Sequence, residues 1–403
     1  MRLSFVGLGH VGLSLASCFA SKGHKVIGVD LDADKVELIN SGKLPIYEPG
    51  LQELLAKVVE DRFLRCTTDT KDAAMDSDIT FVTVGTPSLR SGSADLRSVK
   101  AAATDIGRAL REKSSYHLTV ISSTVTPGTT EYVVRPILEN ASRKNLGGEL
   151  GLCMNPEFMR EGRAVEDVFH PHLVVIGECD KRSGDELKRL YETFFSEKVP
   201  TMRVNASTAE LIKCANNAFL ATKISFANTI ANICERTPNV DIVEVARAIG
   251  ADPRIGRNYL GAGVGWGGSC LPKDLRALTA FAQVLGYRGS LLGAVLEVNE
   301  NQCRRVYELA RRALGTLKGK RISILGLAFK PGTDDIRDAP SIKLIKRFVK
   351  AQSEIKAYDP VAMKNARKIL HGISYPDSAI ESIEQADCCI VATDWDEFRK
   401  ADL

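Results

Sequence analysis

The 403-residue chain lacks a CxxC pair, and none of its ten cysteines stands at metal-ligand spacing from its six histidines. That speaks against a structural zinc site, whose ligands recur at short fixed intervals. An apolar run of about 18 residues is also missing, so no membrane-spanning helix is expected. No run of five or more basic residues occurs and the formal net charge is only +4. Composition therefore gives nucleic-acid binding no support, while a small anionic substrate stays compatible with it. The opening Met-Arg-Leu-Ser-Phe-Val-Gly enters a glycine turn too soon to be a secretory leader. With no leader expected, the cysteines read as reduced thiols of a cytoplasmic protein. Nine of them (Cys18, Cys66, Cys153, Cys179, Cys214, Cys234, Cys303, Cys388 and Cys389) lie in or beside apolar segments, where cysteine acts as a small hydrophobe. Low-complexity tracts and short-period repeats are missing too. What is present, 44% hydrophobic and 26% charged residues, describes a globular chain with room for two or three domains.

Strand-like and helical patterns alternate through the first half. Residues 2–6 form a short apolar run, followed by a glycine turn and an apolar helix to about Ala20. Lys25–Asp30, Ile79–Val84, Leu118–Ser122 and Leu173–Ile176 read as further strands. This alternation predicts an α/β fold, a parallel sheet with helices on both faces. Near residue 205 the texture changes. From Ser207 to Glu235 there is neither proline nor glycine, and apolar residues recur at helical spacing. One helix roughly 42 Å long is expected there, too long and too apolar to be covered by one small domain. It is expected to span between domains and to pack on a partner subunit. Helices at Val240–Ile249, Asp274–Leu285 and about Leu291–Leu314 follow. Strands return at Arg321–Leu325, Ile355–Tyr358 and Cys388–Ala392, around a helix at Pro340–Ala351.

The turn Gly7-x-Gly9-x-x-Gly12 follows a strand and opens a helix, and Asp30 ends the next strand 18 residues after Gly12. Glycines there allow a tight turn and close approach of a pyrophosphate, and the helix N-terminus supplies N–H donors. A carboxylate at Asp30 accepts from ribose hydroxyls and repels a 2′-phosphate, which favours NAD over NADP. Two later turns, Val84-Gly85-Thr86-Pro87 and Ser122-Ser123-Thr124, also follow strands; the residues suit ordinary turns and cofactor contacts equally well.

Residues 261–274 read GAGVGWGGSCLPKD, with five glycines in the first eight positions and Cys270 near the end. Lys273 and a helix N-terminus close to the thiol favour its nucleophilic form, but a buried structural cysteine would look the same. Glu157 and Glu161, four apart, would share one face of a helical turn and suit proton transfer; solvated helix charges fit that spacing equally. Lys213 and Asn217 share a face of the long helix, and a cation beside an amide donor can stabilise an oxyanion, although a lone helical lysine is usually solvated.

Taken together, these stretches identify the chain as similar to the UDP-glucose/GDP-mannose dehydrogenase family along nearly its whole length. The resemblance is carried by FVGLGHVGLSLA, IYEPGLQELL, NPEFMREGRAVEDVFHP, LIKCANNAFLATKISFANTIA, GVGWGGSCLPKD and ILGLAFKPGTDDIRDAPS. It implies two Rossmann-like doubly wound domains joined by a long central helix and a helical dimerisation region. The expected boundaries are an NAD-binding domain at 1–200, a central domain with the cysteine loop at 201–316, and a nucleotide-sugar domain at 317–403. It implies a homodimer, two NAD per turnover, no metal, and four-electron oxidation of a nucleotide sugar through a thioester on Cys270. Lys213 and Asn217 match the oxyanion pair, Asp274 a carboxylate that orders water or acts as base, and Glu157 the residue of thioester hydrolysis. Glu161 lies beside the nicotinamide, and Thr124 matches a hydroxyl that helps to hold the water. On the cofactor side the resemblance adds His10, Val11, Lys35, Gly85, Thr86, Pro87, Ser123, Lys273 and Arg337 to Gly7, Gly9, Gly12 and Asp30. On the sugar side it implies Phe158, Met159, Arg160, Tyr259, Gly261, Gly263, Gly265, Gly267, Phe329 and Lys330, with Arg254 reaching a neighbouring subunit's site.

The REGxAxEDxxHP form, with Gly162 where a serine often stands in GDP-mannose members, points to oxidation of UDP-glucose to UDP-glucuronate. GDP-mannose and a UDP-N-acetyl-hexosamine are the alternatives. Two features depart from the family pattern. His172-Leu173 stands where an arginine is usual, and the family continues past the equivalent of Leu403 with another strand and an Asp-Gly-Arg motif.

Overall fold

The computed structural model describes residues 1–400; the expected C-terminal domain end at Leu403 lies outside them. The chain divides into two compact units, Met1–Ala215 and Asn216 onward.

The first unit is built on eight strands. These are β1 (Arg2–Val6), β2 (Lys25–Val29), β3 (Leu64–Thr67), β4 (Ile79–Val82), β5 (His117–Ile121), β6 (Leu150–Met154), β7 (Val174–Glu178) and β8 (Thr201–Asn205). They lie in the order β3-β2-β1-β4-β5-β6-β7-β8. The central strands are buried on both faces, with Leu3, Phe5, Phe81, Leu118 and Val120 wholly buried, because helices cover both sides of a parallel sheet. From β1 the chain first moves outward to β2 and β3, then crosses to β4. The ends of β1 and β4 therefore diverge, and such a switch point is where open α/β sheets bind ligands. One expectation needs correction: the sheet is not wholly parallel. β6 and β7 pair antiparallel through Cys153 with Glu178 and Met154 with Gly177.

In the second unit a smaller sheet of β9 (Arg321–Leu325), β10 (Glu354–Tyr358) and β11 (Cys388–Val391) has the order β10-β9-β11, all parallel. The long helix runs Ala206–Cys234, one residue earlier at each end than expected. Its alanines Ala218 and Ala221 pack on Trp266, Leu275 and Val295, so small side chains let neighbouring helices approach closely. Helices Leu271–Val284 and Ser290–Leu314 supply the last two of those contacts.

Candidate active site

In the first unit the glycine turn lies between β1 and helix His10–Ser21, which begins at His10 and Val11 and is preceded by Gly9 as N-cap. A Cβ on Gly12 would lie 1.9 Å from the Gly7 carbonyl oxygen, so no larger residue lets the helix approach the strand this closely. A Cβ on Gly9 would meet nothing within 4 Å, so the turn's outer face has room for a pyrophosphate. Asp30 accepts from the Leu8 N–H at 3.0 Å, the Asp32 N–H at 3.2 Å and Lys35 Nζ at 2.8 Å. Burial raises the Asp30 pKa, but these donors outweigh it and hold the carboxyl below its ordinary value. The cradle fits an adenosine ribose and a diphosphate.

The loops after β4 and β5 are stitched to one another. Thr86 Oγ1 donates to the Thr124 carbonyl at 2.7 Å, and Ser123 Oγ donates to the Val84 carbonyl at 2.7 Å. Gly85 and Pro87 remain exposed beside the buried Thr86.

Glu157 and Glu161 do not share a helical face, which corrects the expectation. Residues 155–160 are irregular, and the nearest helix is Ala164–Phe169. Long-range bonds override the helical spacing. Lys213 Nζ donates to the Glu157 carbonyl at 2.6 Å and pairs with its carboxylate at 3.0 Å, both side chains being almost fully buried. The other Glu157 oxygen accepts the Met159 N–H. Lys213 also lies 5.5 Å from the Phe158 ring centroid. Arg160 forks onto Asp167, and Glu161 is half-buried. The turn that follows is held by Glu48, whose two oxygens accept the Gly162 and Ala164 N–H groups at 2.8 Å each. The sequence reading gave Glu48 no role. Its only local signal was a glutamate in a proline-glycine turn, 114 residues from Gly162.

In the second unit Cys270 is exposed at the N-cap of helix Leu271–Val284. Its Sγ lies 3.4 Å from Ser269 Oγ. One turn along, Asp274 is 1% exposed, accepting from Asn217 Nδ2 at 2.7 Å and pairing with Lys273 at 2.5 Å. Two of the expected catalytic groups thus meet directly behind the thiol. Other cysteines differ: burial pushes Cys18, Cys66 and Cys179 up to about 12, which keeps them as inert thiols.

The glycine loop is held by side chains. Asn228 accepts the Gly263 N–H, Gln302 donates to the Gly263 carbonyl, and Asn299 bonds both N–H and carbonyl of Trp266. Gly268 has φ +87°, and a Cβ there would lie 2.7 Å from the Phe329 ring, so glycine is required on both counts. Its N–H donates to the Arg337 carbonyl. The structure therefore brings the cysteine loop, Phe329 and Arg337 together. Gly265 and Gly267 lie within that packed stretch, and Gly261 and Gly263 at its open end. Lys330 lies over the Phe329 ring at 5.8 Å, and Arg337 forks onto Asp335. Arg254 and Tyr259 belong to a different segment, tied to the long helix by Lys223 through the Ile255 and Gly256 carbonyls. Arg254 is exposed and forks onto Asp252, while Tyr259 adopts φ +65°, rare for a bulky residue. Among the described residues no group of three His, Cys, Asp or Glu is placed to hold a metal ion, and no helix is long and apolar enough to cross a membrane.

A dinucleotide cradle at a sheet switch point describes a nucleotide-dependent oxidoreductase, and the second unit adds an exposed thiol heading a helix. The chain belongs to the UDP-glucose/GDP-mannose dehydrogenase family. That family's NAD binding domain matches residues 1–195, its central domain 207–301 and its UDP binding domain 323–403. The UDP-glucose 6-dehydrogenase AglM of Haloferax volcanii is 47% identical, over 100% of this chain and 93% of that protein. The GDP-mannose 6-dehydrogenase of Pseudomonas aeruginosa is 41% identical, over 89% of this chain and 81% of its own length. Among solved structures, a UDP-glucose dehydrogenase from Pyrobaculum islandicum superposes with a TM-score of 0.96 at 40% identity, covering 100% of this chain and 91% of that one.

Proposed function

We propose that this protein oxidises C6 of UDP-glucose to the carboxylate of UDP-glucuronate, using two NAD per turnover and no metal ion. The observation that carries the reading is the exposed Cys270 at a helix N-cap, one turn ahead of the buried Asp274–Asn217 pair. Relatives named as UDP-glucose 6-dehydrogenases, at 47% and 41% identity over the whole chain, support the choice of sugar. NAD, when bound in the β1 cradle, takes a hydride in each of two oxidations. Cys270 thiolate adds to the aldehyde left by the first; loss of a second hydride turns that thiohemiacetal into a thioester, and water releases the acid and the thiol. Lys213 and Asn217 stabilise the negative oxygen of the tetrahedral species, with Glu157 holding Lys213 in place between turns. Asp274 and Thr124 orient the water, and Glu157 takes its proton in the hydrolytic step. Glu161 flanks the nicotinamide. Arg160, Tyr259, Phe329 and Lys330 hold the nucleotide sugar together with the glycine loop.

The same reading keeps the three domains at 1–200, 201–316 and 317–403, in a cytoplasmic homodimer. Phe219, Phe226 and Ile233, each seven residues from the next on the long helix, are 65%, 50% and 56% exposed. An apolar stripe of that spacing suits the same helix of a second copy, with Arg254 reaching the partner's site.

The test is stoichiometry. UDP-glucose should yield two NADH per sugar; Cys270→Ser should still bind UDP-glucose but lose steady-state turnover by about three orders of magnitude or more. Activity with GDP-mannose alone would remove UDP-glucose as the substrate, and full four-electron turnover by Cys270→Ser would remove the covalent route.

A further inference from the structure

On the long helix, three residues before Lys213, stands Glu210, which is 0% exposed. Its two oxygens accept the backbone N–H groups of Gly128 at 2.5 Å and Thr130 at 2.7 Å. Those amides open a π-helical turn, Thr130–Val134, that continues into helix Arg135–Ser142. The first amides of a helix have no partner within it and carry its positive end. A serine, threonine, asparagine or aspartate two or three residues upstream usually satisfies them, for about 1 kcal/mol. Here a carboxylate does so from another helix, 82 residues along the chain from Gly128. Burial pushes the Glu210 carboxyl above its ordinary value, although the amides partly offset that. Desolvation makes this an expensive cap, so what sets it apart is the element it ties down.

That element ends the loop carrying Thr124. One turn past Glu210, Cys214 Sγ lies 3.6 Å from the Val125 carbonyl, and the Thr124 carbonyl accepts from Thr86 Oγ1. With the Ser123 hydroxyl on the Val84 carbonyl, these contacts hold the backbone on both sides of Thr124, and Glu210 holds the loop's far end from the same helix face that presents Lys213. We propose that Glu210 is a positioning residue: its carboxylate anchors the 123–130 loop so that the Thr124 hydroxyl keeps its place relative to Glu157 and Lys213. This rests on the roles given above to Thr124 and Cys270. Glu210 itself touches neither substrate nor cofactor. Its effect falls on water attack, and so on release of the acyl group from Cys270 rather than on binding.

In the full-length enzyme, Glu210→Gln turns one amide acceptor into a donor facing an N–H. Turnover should fall about 30- to 100-fold, the scale expected when a catalytic group is displaced by roughly an ångström. KM for UDP-glucose and for NAD should each change less than about threefold. Peptides spanning 126–131 should exchange amide hydrogen faster, and acyl-Cys270 should accumulate in quenched mixtures analysed by mass. In a Thr124→Ala background, Glu210→Gln should lower kcat by less than about threefold more, because both changes remove one interaction. Full additivity of the two, an unchanged kcat, or a loss confined to KM would overturn the proposal. Should Glu210→Gln not fold, Glu210→Asp decides. Its shorter carboxylate should give an intermediate kcat at wild-type KM, and an unchanged kcat would count against the anchor. If no enzyme, wild type included, ever carries an acyl group on Cys270, the thioester reading fails, while the kcat cycle with Thr124 still judges Glu210.

Discussion

Strands β1 and β9 each lie between two parallel neighbours in their own sheet, and the turns that follow them share a skeleton. Gly7 and Gly326 leave their strands at φ +99° and +92°. Their N–H groups donate to Val29 and Tyr358, the last residues of β2 and β10, at 2.8 Å in both cases. The residue just after each of these strands is an aspartate that accepts the following turn amide, Leu8 to Asp30 and Leu327 to Asp359. From there the two part. Asp30 stays partly exposed beside Lys35, whereas Asp359 is 1% exposed and accepts four backbone N–H groups and the Trp395 indole N–H. The loop after β4 turns toward β5, through Thr86 to Thr124, and leaves Asp30 open. The loop after β11 folds back, placing Trp395 over Asp359. One geometry thus serves a ligand in the first unit and closes on itself in the second. Repetition of a fold does not repeat a site.

Buried serines of the same two strands, Ser4 and Ser323, extend the comparison and carry its largest expected effect. Ser4 meets Ser77 and Ser323 meets Ser382, hydroxyl to hydroxyl, at 2.9 and 2.8 Å. In the first unit the chain runs on through Thr80 to His117 and Lys113, whereas in the second Ser323 meets the Cys389 thiol. Burial, with the Lys113 charge second, pushes the His117 pKa down to about 3; Asp78 and Lys144 also face it, with opposite sign. Between pH 3 and 6.5 the unfolded chain binds a proton at His117 that the folded one refuses. Stability of the first unit should therefore fall as pH drops below 6.5, by about 1.4 kcal/mol per unit and so about 3 kcal/mol by pH 4. Urea unfolding followed by amide exchange in each unit would test this. A parallel loss in both units, or the same slope in His117→Gln, would break the contrast.

Next in size is the exchange of the two aspartates. Asp359→Asn should destabilise the second unit by about 2 kcal/mol, because a buried amide replaces an acceptor of five N–H donors. NADH affinity, read by fluorescence titration, should stay within about twofold. Asp30→Asn should do the reverse, weakening NADH about tenfold through lost bonds to ribose hydroxyls with little change in Tm. The comparison fails if Asp359→Asn weakens NADH as much as Asp30→Asn does.

Much of this was legible beforehand, because some residues are demanded by backbone geometry alone. Gly12 admits no side chain, and an acidic residue ending β2 follows from ribose chemistry, so the first cradle could be read along the chain. The long helix was readable to within one residue, since neither proline nor glycine interrupts it. The edge strands β3 (LRCT) and β8 (TMRVN) were missed, being short and half polar, and β6 (LGLCM) lacks β-branched residues. The antiparallel step at β7 depends on loop routing that periodicity does not encode. The irregular run at 155–160 was hidden for another reason. Its shape is set by Lys213 and Asp167, with Glu48 holding the turn that follows, and together they override the helical spacing of Glu157 and Glu161. Asp359 shows the same limit: it follows a strand as Asp30 does, and its burial beneath the folded-back Trp395 is set by a contact 36 residues along the chain.

Trp395 therefore supplies the finest test. Trp395→Phe keeps an aromatic ring over the turn but removes the indole N–H, 3.1 Å from Asp359 Oδ2. Leu327 and Ala328 still donate to that oxygen. The carboxylate thus loses one donor of three there, and the second unit should lose about 1 kcal/mol. NAD should still bind at one site per chain by calorimetry, since the turn after β9 lacks the Gly-x-Gly-x-x-Gly approach even when its aspartate is loosened. A second NAD site in Trp395→Phe would mean that one side chain, rather than the glycine turn, separates the two sheets.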